Sequence, residues 1–173
     1  MARASVLVQR LTPADARELW ELIDRNRRHL SRFGDDIAGN YLTFESVRDR
    51  IDKPPQGVWE YRCAIRDAET AQMVGFVKLT LLPHLYRVVE IGYWLGEEFT
   101  GLGYATKAVR FLTHLALTDP EFAYVQVRAW VHSDNLDSRK VLARAGYTEH
   151  GPDPDRDGLV RFSISPAGAE NLS

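Results

Sequence analysis

The sequence is poor in the residues that mark several protein classes. Cys63 is the one cysteine among 173 residues, so an internal disulfide is impossible. The five histidines are scattered without partners at metal-ligand spacing, and we therefore expect no metal site. The net charge is −2, whereas proteins that bind nucleic acid usually carry a strongly basic stripe. These absences argue against disulfide scaffolds, zinc modules and nucleic-acid partners.

Long apolar runs are also absent. No segment approaches the roughly 20 apolar residues of a membrane span. The first fifteen residues, MARASVLVQRLTPAD, hold no apolar core of signal-peptide length. We therefore expect a cytoplasmic protein with no membrane partner. A chain of 173 residues without repeats or a long linker favours a single domain over 1–173.

The apolar patterns predict the element order βααβββαβαββ. Strands are expected at Ser5–Leu11, in GVWEYRCAIRD, QMVGFVKLTLL, RVVEIGYWLGEEF and AYVQVRAWV, and finally from Tyr147 and at Leu159–Ser165. Helices are expected after Thr12-Pro13, at Thr43–Ile51 before Pro54-Pro55, at Leu102–Thr118, and at Asn135–Ala145 before Gly146. The polar segment His29–Asn40 is expected to be irregular. This order predicts the α/β class, with one mixed, mainly antiparallel sheet and helices on both faces.

The stretch EEFTGLGYATKAV places Gly101 and Gly103 between a strand and a helix. The first turn of a helix has free N–H groups and a partial positive charge, and glycines let a bulky anion approach the backbone. Lys107 adds charge one turn later. A phosphate cradle and a plain turn both fit, because two glycines alone are a weak signal. Tyr104 and Thr106 stand where Walker and Rossmann loops need other residues.

Two blocks together resemble the GNAT superfamily of N-acetyltransferases: EIGYWLGEEFTGLGYATKAV and VHSDNLDSRKVLARAGYTEHG. Within it the chain is similar to the RimJ/RimL-like branch, which acetylates protein N-termini and some small amines. The resemblance covers most of the chain and is strongest from Val74 to Gly151. It implies one acetyltransferase domain that moves the acetyl group of acetyl-CoA directly to a primary amine. It also implies that strands four and five, Val88–Leu95 and Tyr124–Val131, are splayed around acetyl-CoA.

The resemblance further implies which residues hold the CoA. In the family, the backbone of the loop after the fourth strand binds the pyrophosphate, and this loop corresponds to Thr100, Gly101, Leu102, Gly103, Tyr104 and Ala105. Phe99 replaces the usual Gln or Arg that begins the motif, a departure of little consequence for backbone contacts. Asn135 corresponds to an asparagine that contacts CoA in the family, and it is also a good helix cap.

The strand VVEIGYWL is expected to carry part of the chemistry. Gly92 in mid-strand favours the close approach of a ligand, although a core strand also tolerates a glycine. A backbone N–H around Tyr93, Trp94 or Leu95 would then stabilise the oxyanion that forms when an amine attacks a thioester.

Three side chains are candidates for proton transfer. Glu90, a charge in an apolar strand, is either the general base or a carboxylate paired with a neighbour such as Arg87. Many relatives protonate the CoA thiolate with a tyrosine, but Leu142 occupies that position. The RimL-like pattern instead assigns Ser138 to the sulfur, unless Ser138 makes only a local hydrogen bond. His150 stands where the branch usually has Glu, as a substitute base or as part of the acceptor pocket.

The acceptor is the least defined part of this interpretation. A protein N-terminal α-amino group of the ribosomal-protein type is the first expectation, and a small-molecule amine such as an antibiotic is the alternative. A non-catalytic module that binds acyl-CoA also fits, because the usual tyrosine and glutamate are replaced. The basic stretch Arg25–Arg32 indicates either an acidic acceptor or a solvated helix end. A monomer and a homodimer are both compatible with the sequence.

Overall fold

A computed structural model describes residues 5–33, 37–53 and 56–169. Within them the strands are β1 (Val6–Arg10), β2 (Glu60–Asp67), β3 (Met73–Leu81), β4 (Val88–Leu95), β5 (Gln126–His132), β6 (Thr148–Pro152) and β7 (Leu159–Ile164). The helices are α1 (Ala16–Arg25), α2 (Arg27–Leu30), α3 (Ile37–Asn40), α4 (Phe44–Asp52), α5 (Tyr104–Thr118), α6 (Leu136–Arg144) and α7 (Pro166–Ala169). Single 3-10 turns precede α1 at Pro13–Asp15 and α5 at Glu97–Phe99.

The strands form one sheet in the order β1-β2-β3-β4-β5-β7-β6. β1 is antiparallel to β2, and β7 is antiparallel to both β5 and β6, whereas β4 and β5 are parallel. The predicted mixed α/β class with a mainly antiparallel sheet is thus confirmed. The parallel register runs from the pair Val88–Gln126 to the pair Glu90–Arg128. Splaying of the two strands beyond these pairs stays a prediction.

Local sequence signals set several helix ends. The backbone N–H and the hydroxyl of Thr12 both donate to Asp15 Oδ2, at 2.8 and 2.9 Å, where the first helical segment begins. Thr43 Oγ1 accepts from the N–H of Ser46 at 3.2 Å and caps α4. Gly146 adopts φ +86°, the left-handed conformation that commonly follows a helix, just beyond α6.

The segment expected to be irregular, His29–Asn40, contains the end of one single helical turn, α2, and the whole of another, α3. In α2 the N–H of Leu30 donates to the carbonyl oxygen of Asn26 at 2.9 Å, and Leu30 is only 6% exposed. Burial of this leucine gives a polar stretch a helical turn that its composition does not predict. Pro54-Pro55, predicted to stop α4, lie outside the described residues.

The chain divides into two compact units. The first comprises Met1–Lys78 and Tyr93–Ala105, and the second comprises Leu79–Gly92 and Thr106–Ser173. The core of the first unit joins buried side chains of α1 and α4 with those of β2 and β3, including Leu22, Ile23, Val47, Ala64 and Phe76. The second unit buries Val89, Leu112, Val127, Ala129 and Phe162. A single domain stays a prediction, and no helix among the described residues is long and apolar enough to cross a membrane.

Candidate active site

The glycine loop, residues 100–105, joins the turn after β4 to the start of α5. Gly101 has φ +76° and Gly103 has φ +93°, conformations that cost other residues about 1–2 kcal/mol each. Chain neighbours aside, no heavy atom of the described residues lies within 4 Å of the place where a Cβ on either glycine would stand. Glycine is therefore required by the backbone conformation and not by packing. The side of the loop that would carry side chains is open.

The backbone of this loop can bind an anion. α5 begins at Tyr104, and the N–H groups of a first helical turn have no acceptor within the helix and carry partial positive charge. Gly101, Leu102 and Gly103 are exposed. The hydroxyl of Thr100 donates to the carbonyl oxygen of Glu97 at 2.8 Å, so it closes the preceding turn. Backbone N–H groups are the donors that the loop can offer.

Tyr104 anchors the end of the loop. Its hydroxyl donates to Asp67 Oδ2 in the β2–β3 turn, while Asp67 Oδ1 accepts from the N–H groups of Glu69 and Thr70 at 3.0 and 2.8 Å. The hydrogen bond from Tyr104, followed by those from Thr70 and Glu69, lowers the pKa of Asp67 to about 2. The same bond, together with burial and the charges of Asp67 and Glu69, raises the pKa of Tyr104 to about 12. The start of α5 is therefore tied to a well-bonded turn.

Asn26 anchors the segment before the loop. It lies just after α1 and is only 4% exposed. Its Oδ1 accepts from the N–H of Glu97 at 2.8 Å, and its Nδ2 donates to the carbonyl oxygen of Leu22 at 2.9 Å. With Asn26 before it and Tyr104 after it, the glycine loop is held at both ends. Such preorganisation favours ligand binding because less flexibility is lost.

The end of β4 packs tightly against β3. The rings of Trp94 and Phe76 stack with centroids 6.0 Å apart. A Cβ on Gly75 would lie 2.3 Å from the carbonyl oxygen of Trp94 and 2.6 Å from Leu95 Cδ2. Gly75, which was not among the residues predicted from the sequence, therefore permits the close approach of the two strands. The assignment of oxyanion donors to Tyr93, Trp94 and Leu95 stays a prediction.

In the second unit, the two candidate bases lie on the same face of the sheet. Residues directly opposite each other in a register share a face. Glu90 is opposite Arg128, and Arg128 is opposite Ser163. Ser163 Oγ is hydrogen-bonded to His150 Nε2 at 2.7 Å. Glu90, Arg128, Ser163 and His150 therefore form a polar row across four strands, in which Arg128 and Ser163 separate the carboxylate from the imidazole.

The connection between β6 and β7 covers part of this row. Arg156 Nη1 lies 3.5 Å from Glu90 Oε2, and the Glu90 side chain is 29% exposed. The Arg156 guanidinium carbon also lies 3.9 Å from the centre of the Trp130 ring. The Trp130 indole N–H donates to Asp153 Oδ2 at 2.7 Å, and this bond lowers the pKa of Asp153. Arg156, which was not predicted from the sequence, thus pairs with a candidate base.

The beginning of α6 carries the other two candidates. Asn135 Oδ1 accepts from the N–H of Ser138 at 3.1 Å, so the interpretation of Asn135 as a helix cap is confirmed. Ser138 lies in the first turn and is partly buried. Leu142, at the position of the missing tyrosine, is fully buried. Glu149 Oε1 forms an ion pair with Arg139 Nη2 of α6 at 2.8 Å. Contacts of Asn135 and Ser138 with CoA stay predictions.

One arginine of the basic stretch Arg25–Arg32 has a structural role. Arg27 donates to Asp24 Oδ1 at 2.8 Å and to the carbonyl oxygens of Tyr41 and Leu42 at 3.0 and 3.2 Å. It therefore holds the segment that leads into α4.

Among the described residues, no group of three or more His, Cys, Asp or Glu is placed to hold a metal ion.

The part of the polar row on β5 and β7 has a sequence signal of its own. In QVRAWVH and LVRFSI, polar or amphipathic residues alternate with buried apolar ones. Period-two alternation places Arg128 and Trp130 on one face of β5, and Arg161 and Ser163 on the matching face of β7. The alternation along these two strands could therefore have predicted that the four side chains share a face, although not which residues they contact.

Comparisons with known proteins point to one family. Residues 5–148 match the family described as Acetyltransferase (GNAT) domain. A Bacillus subtilis (strain 168) protein named "Putative ribosomal N-acetyltransferase YdaF" is 31% identical over 160 residues, which cover 89% of this chain and 82% of that protein.

Two solved structures share the fold. Mycobacterium smegmatis RimJ in complex with CoA-disulfide has a TM-score of 0.79 at 21% identity, covering 98% of this chain and 88% of that one. Spermidine N-acetyltransferase from Vibrio cholerae in complex with CoA and spermine has a TM-score of 0.76 at 20% identity, covering 96% and 98%.

Proposed function

The chain belongs to the GNAT acetyltransferase family and is an N-acetyltransferase similar to the RimJ/RimL-like branch, and on that premise we propose that its acceptor is the α-amino group of a protein N-terminus, of the ribosomal-protein type. GNAT acetyltransferases use acetyl-CoA as the acetyl donor. The name of the Bacillus subtilis relative supports this class of acceptor. We also place the reaction in the cytoplasm, with the protein acting as a monomer or homodimer.

The glycine loop supports acetyl-CoA as the donor. Its two left-handed glycines, the open space beside them and the start of α5 make a backbone surface that suits a pyrophosphate. We assign Thr100, Gly101, Leu102, Gly103, Tyr104 and Ala105 to the CoA pyrophosphate. Asn135 and Ser138 would contact CoA from α6, and a backbone N–H of Tyr93, Trp94 or Leu95 would bind the thioester oxygen.

Acetyl transfer from the thioester to the amine requires the protein to position the two reactants and to move two protons. The amine nitrogen forms a bond to the thioester carbonyl carbon, and the carbon–sulfur bond breaks. The nitrogen loses a proton and the sulfur gains one. Glu90 or His150 would accept the first proton, since both lie in the polar row. Ser138 would supply or hold the second, because Leu142 is buried and has no proton to give.

Binding of the donor is tested by thermal unfolding with and without acetyl-CoA. A ligand at 100 times its dissociation constant stabilises a protein by about 2.7 kcal/mol. For a chain of this size, that corresponds to a rise in Tm of about 5–11 °C. No rise with acetyl-CoA, together with a rise with ATP or NAD, would contradict the assignment of the loop.

Turnover is tested by measuring free CoA thiol with a panel of peptides and small amines. We expect acetylation of peptide α-amino groups. Acetylation of small amines alone would instead identify the protein as a small-molecule amine acetyltransferase. Acetyl-CoA binding without release of CoA from any amine would identify a non-catalytic acyl-CoA-binding module.

A further inference from the structure

Two arginines occupy neighbouring positions on the polar face of the second unit. Arg128 of β5 is opposite Ser163 of β7. The next pair on the same face, closer to the β6–β7 connection, is Trp130 with Arg161. Arg128 and Arg161 are therefore diagonal neighbours on one face, about 7–8 Å apart and within reach of long side chains. The residues between them along each strand, Ala129 and Phe162, are buried on the opposite face.

The arginine pair, Arg128 and Arg161, has incomplete charge compensation. Arg128 Nε donates to the neutral amide oxygen of Gln126 at 2.6 Å. In the part of the chain that the structure describes, no ion pair within 4 Å joins either guanidinium to an acidic side chain. Burial lowers the pKa of Arg128, and the charge of Arg161 lowers it further, against the opposing effect of Asp153.

The surrounding charges indicate what would complete the cluster. The two carboxylates that the structure places here already have partners, since Glu90 pairs with Arg156 and Asp153 accepts from the Trp130 indole. Guanidinium groups bind carboxylates with two parallel hydrogen bonds, which favours a planar partner.

We propose that Arg128 and Arg161 form a carboxylate-binding subsite for the acceptor, an inference that rests on the proposed function. Glu90 is directly opposite Arg128 on the neighbouring strand, about 5 Å away, and Arg161 lies one strand further on, so an amine beside Glu90 has Arg128 next to it and Arg161 behind Arg128. The preferred acceptor is thus an amine with a carboxylate close by, such as a peptide whose first residue is Asp or Glu. Polyamines, which are polycations, are disfavoured by the same charges.

The test compares matched peptides that differ only in Asp or Asn at the first position, with spermidine as the cationic acceptor. Wild type should acetylate the Asp peptide with kcat/KM about tenfold higher than the Asn peptide, mainly through KM, as expected for a charge-assisted hydrogen bond. R128Q and R161Q should each reduce this ratio toward one. R144Q, which removes an exposed arginine at the end of α6, should leave it unchanged. R128K keeps the charge but loses the planar fork, so it should recover only part of the ratio.

A second readout does not require turnover. The indole N–H signal of Trp130, identified by its loss in W130F, should shift when the Asp peptide is titrated into the CoA-bound protein, and should shift little with the Asn peptide. If no amine is acetylated but this charge-dependent shift is seen, the proposed function fails and the subsite stands. Equal kcat/KM for the two peptides, a preference for spermidine, or the absence of a charge-dependent shift would overturn the subsite.

Discussion

Replacing Gly75 by alanine tests how closely β3 and the end of β4 must approach. The added methyl carbon would lie 2.3 Å from the carbonyl oxygen of Trp94, 2.6 Å from Leu95 Cδ2 and 3.0 Å from Leu95 Cα. Close carbon–oxygen contacts between strands lie near 3.3 Å, so the strands must separate by about 1 Å. The collision involves backbone atoms, which a change of side-chain rotamer does not relieve.

The expected loss of stability follows from two opposing effects. Overpacking of this kind costs about 1–3 kcal/mol. Alanine also reduces the conformational entropy of the unfolded chain, and this effect offsets about 0.4–1 kcal/mol of the loss of stability. A net loss of about 1–2 kcal/mol lowers Tm by roughly 2–8 °C in a protein of this length. The neighbouring Val74 and Val77 are fully buried, so the strand has little room to move away.

Thermal unfolding followed by circular dichroism, without and with saturating acetyl-CoA, measures both consequences. Gly75→Ala should lower Tm and should also reduce the acetyl-CoA-dependent rise, because the displaced backbone includes the proposed oxyanion donors. Gly57→Ala is the control, since Gly57 has φ +78° and no atom of the described residues within 4 Å of the Cβ position, chain neighbours aside. It introduces backbone strain without a collision, and the rise with acetyl-CoA should be unchanged.

A Tm for Gly75→Ala within 1 °C of wild type would refute the packing argument, since the strands would then separate at no cost. A lower Tm with an undiminished acetyl-CoA effect would refute the functional part alone.

Three further predictions concern the loop, the base and pH. Gly103→Val should fold yet lose the rise in Tm with acetyl-CoA, since the space beside Gly103 is open to a ligand; an unchanged rise would remove the loop from the site. Glu90→Gln should lower kcat by at least about 100-fold at an unchanged acetyl-CoA dissociation constant if Glu90 is the base, and a full kcat would leave that role to His150. Asp67, whose pKa is lowered, adds stability that is lost as pH falls from about 4 to 2. Tyr104, whose pKa is raised, adds stability that is lost as pH rises from about 10 to 12. Melting curves of Tyr104→Phe should therefore differ from wild type most between pH 4 and 10, and a difference independent of pH would contradict the Asp67–Tyr104 bond.

Much of the fold was predictable because its signals are local. Thr12, Thr43 and Gly146 mark helix ends through contacts with residues at most five positions away. Apolar runs and apolar alternation located the strands, and the glycines of the loop showed where the backbone needs left-handed angles. The turn α2 was missed because burial of Leu30, and not composition, makes this short segment helical.

The candidate site was predictable only in part. Glu90 was found as a charge in an apolar strand, and His150 was found as a departure from the glutamate usual in the resembled branch. Their common face, and the intervening Arg128, depend on which strands are neighbours and in which register. Arg156 was missed because nothing near it in the sequence indicates a contact with Glu90, sixty-six positions earlier.

The sequence by itself determined the family, the order of the elements and the glycine loop, since these reside in contiguous residues whose patterns act over one or two turns of chain. Tertiary structure alone decided how the loop is held, through Asn26 and Asp67, and which charges surround the candidate bases. The physical reason is that a strand register or a long-range hydrogen bond is chosen by the folded chain as a whole. Residues far apart in sequence then share one face, and only there do their charges act on each other.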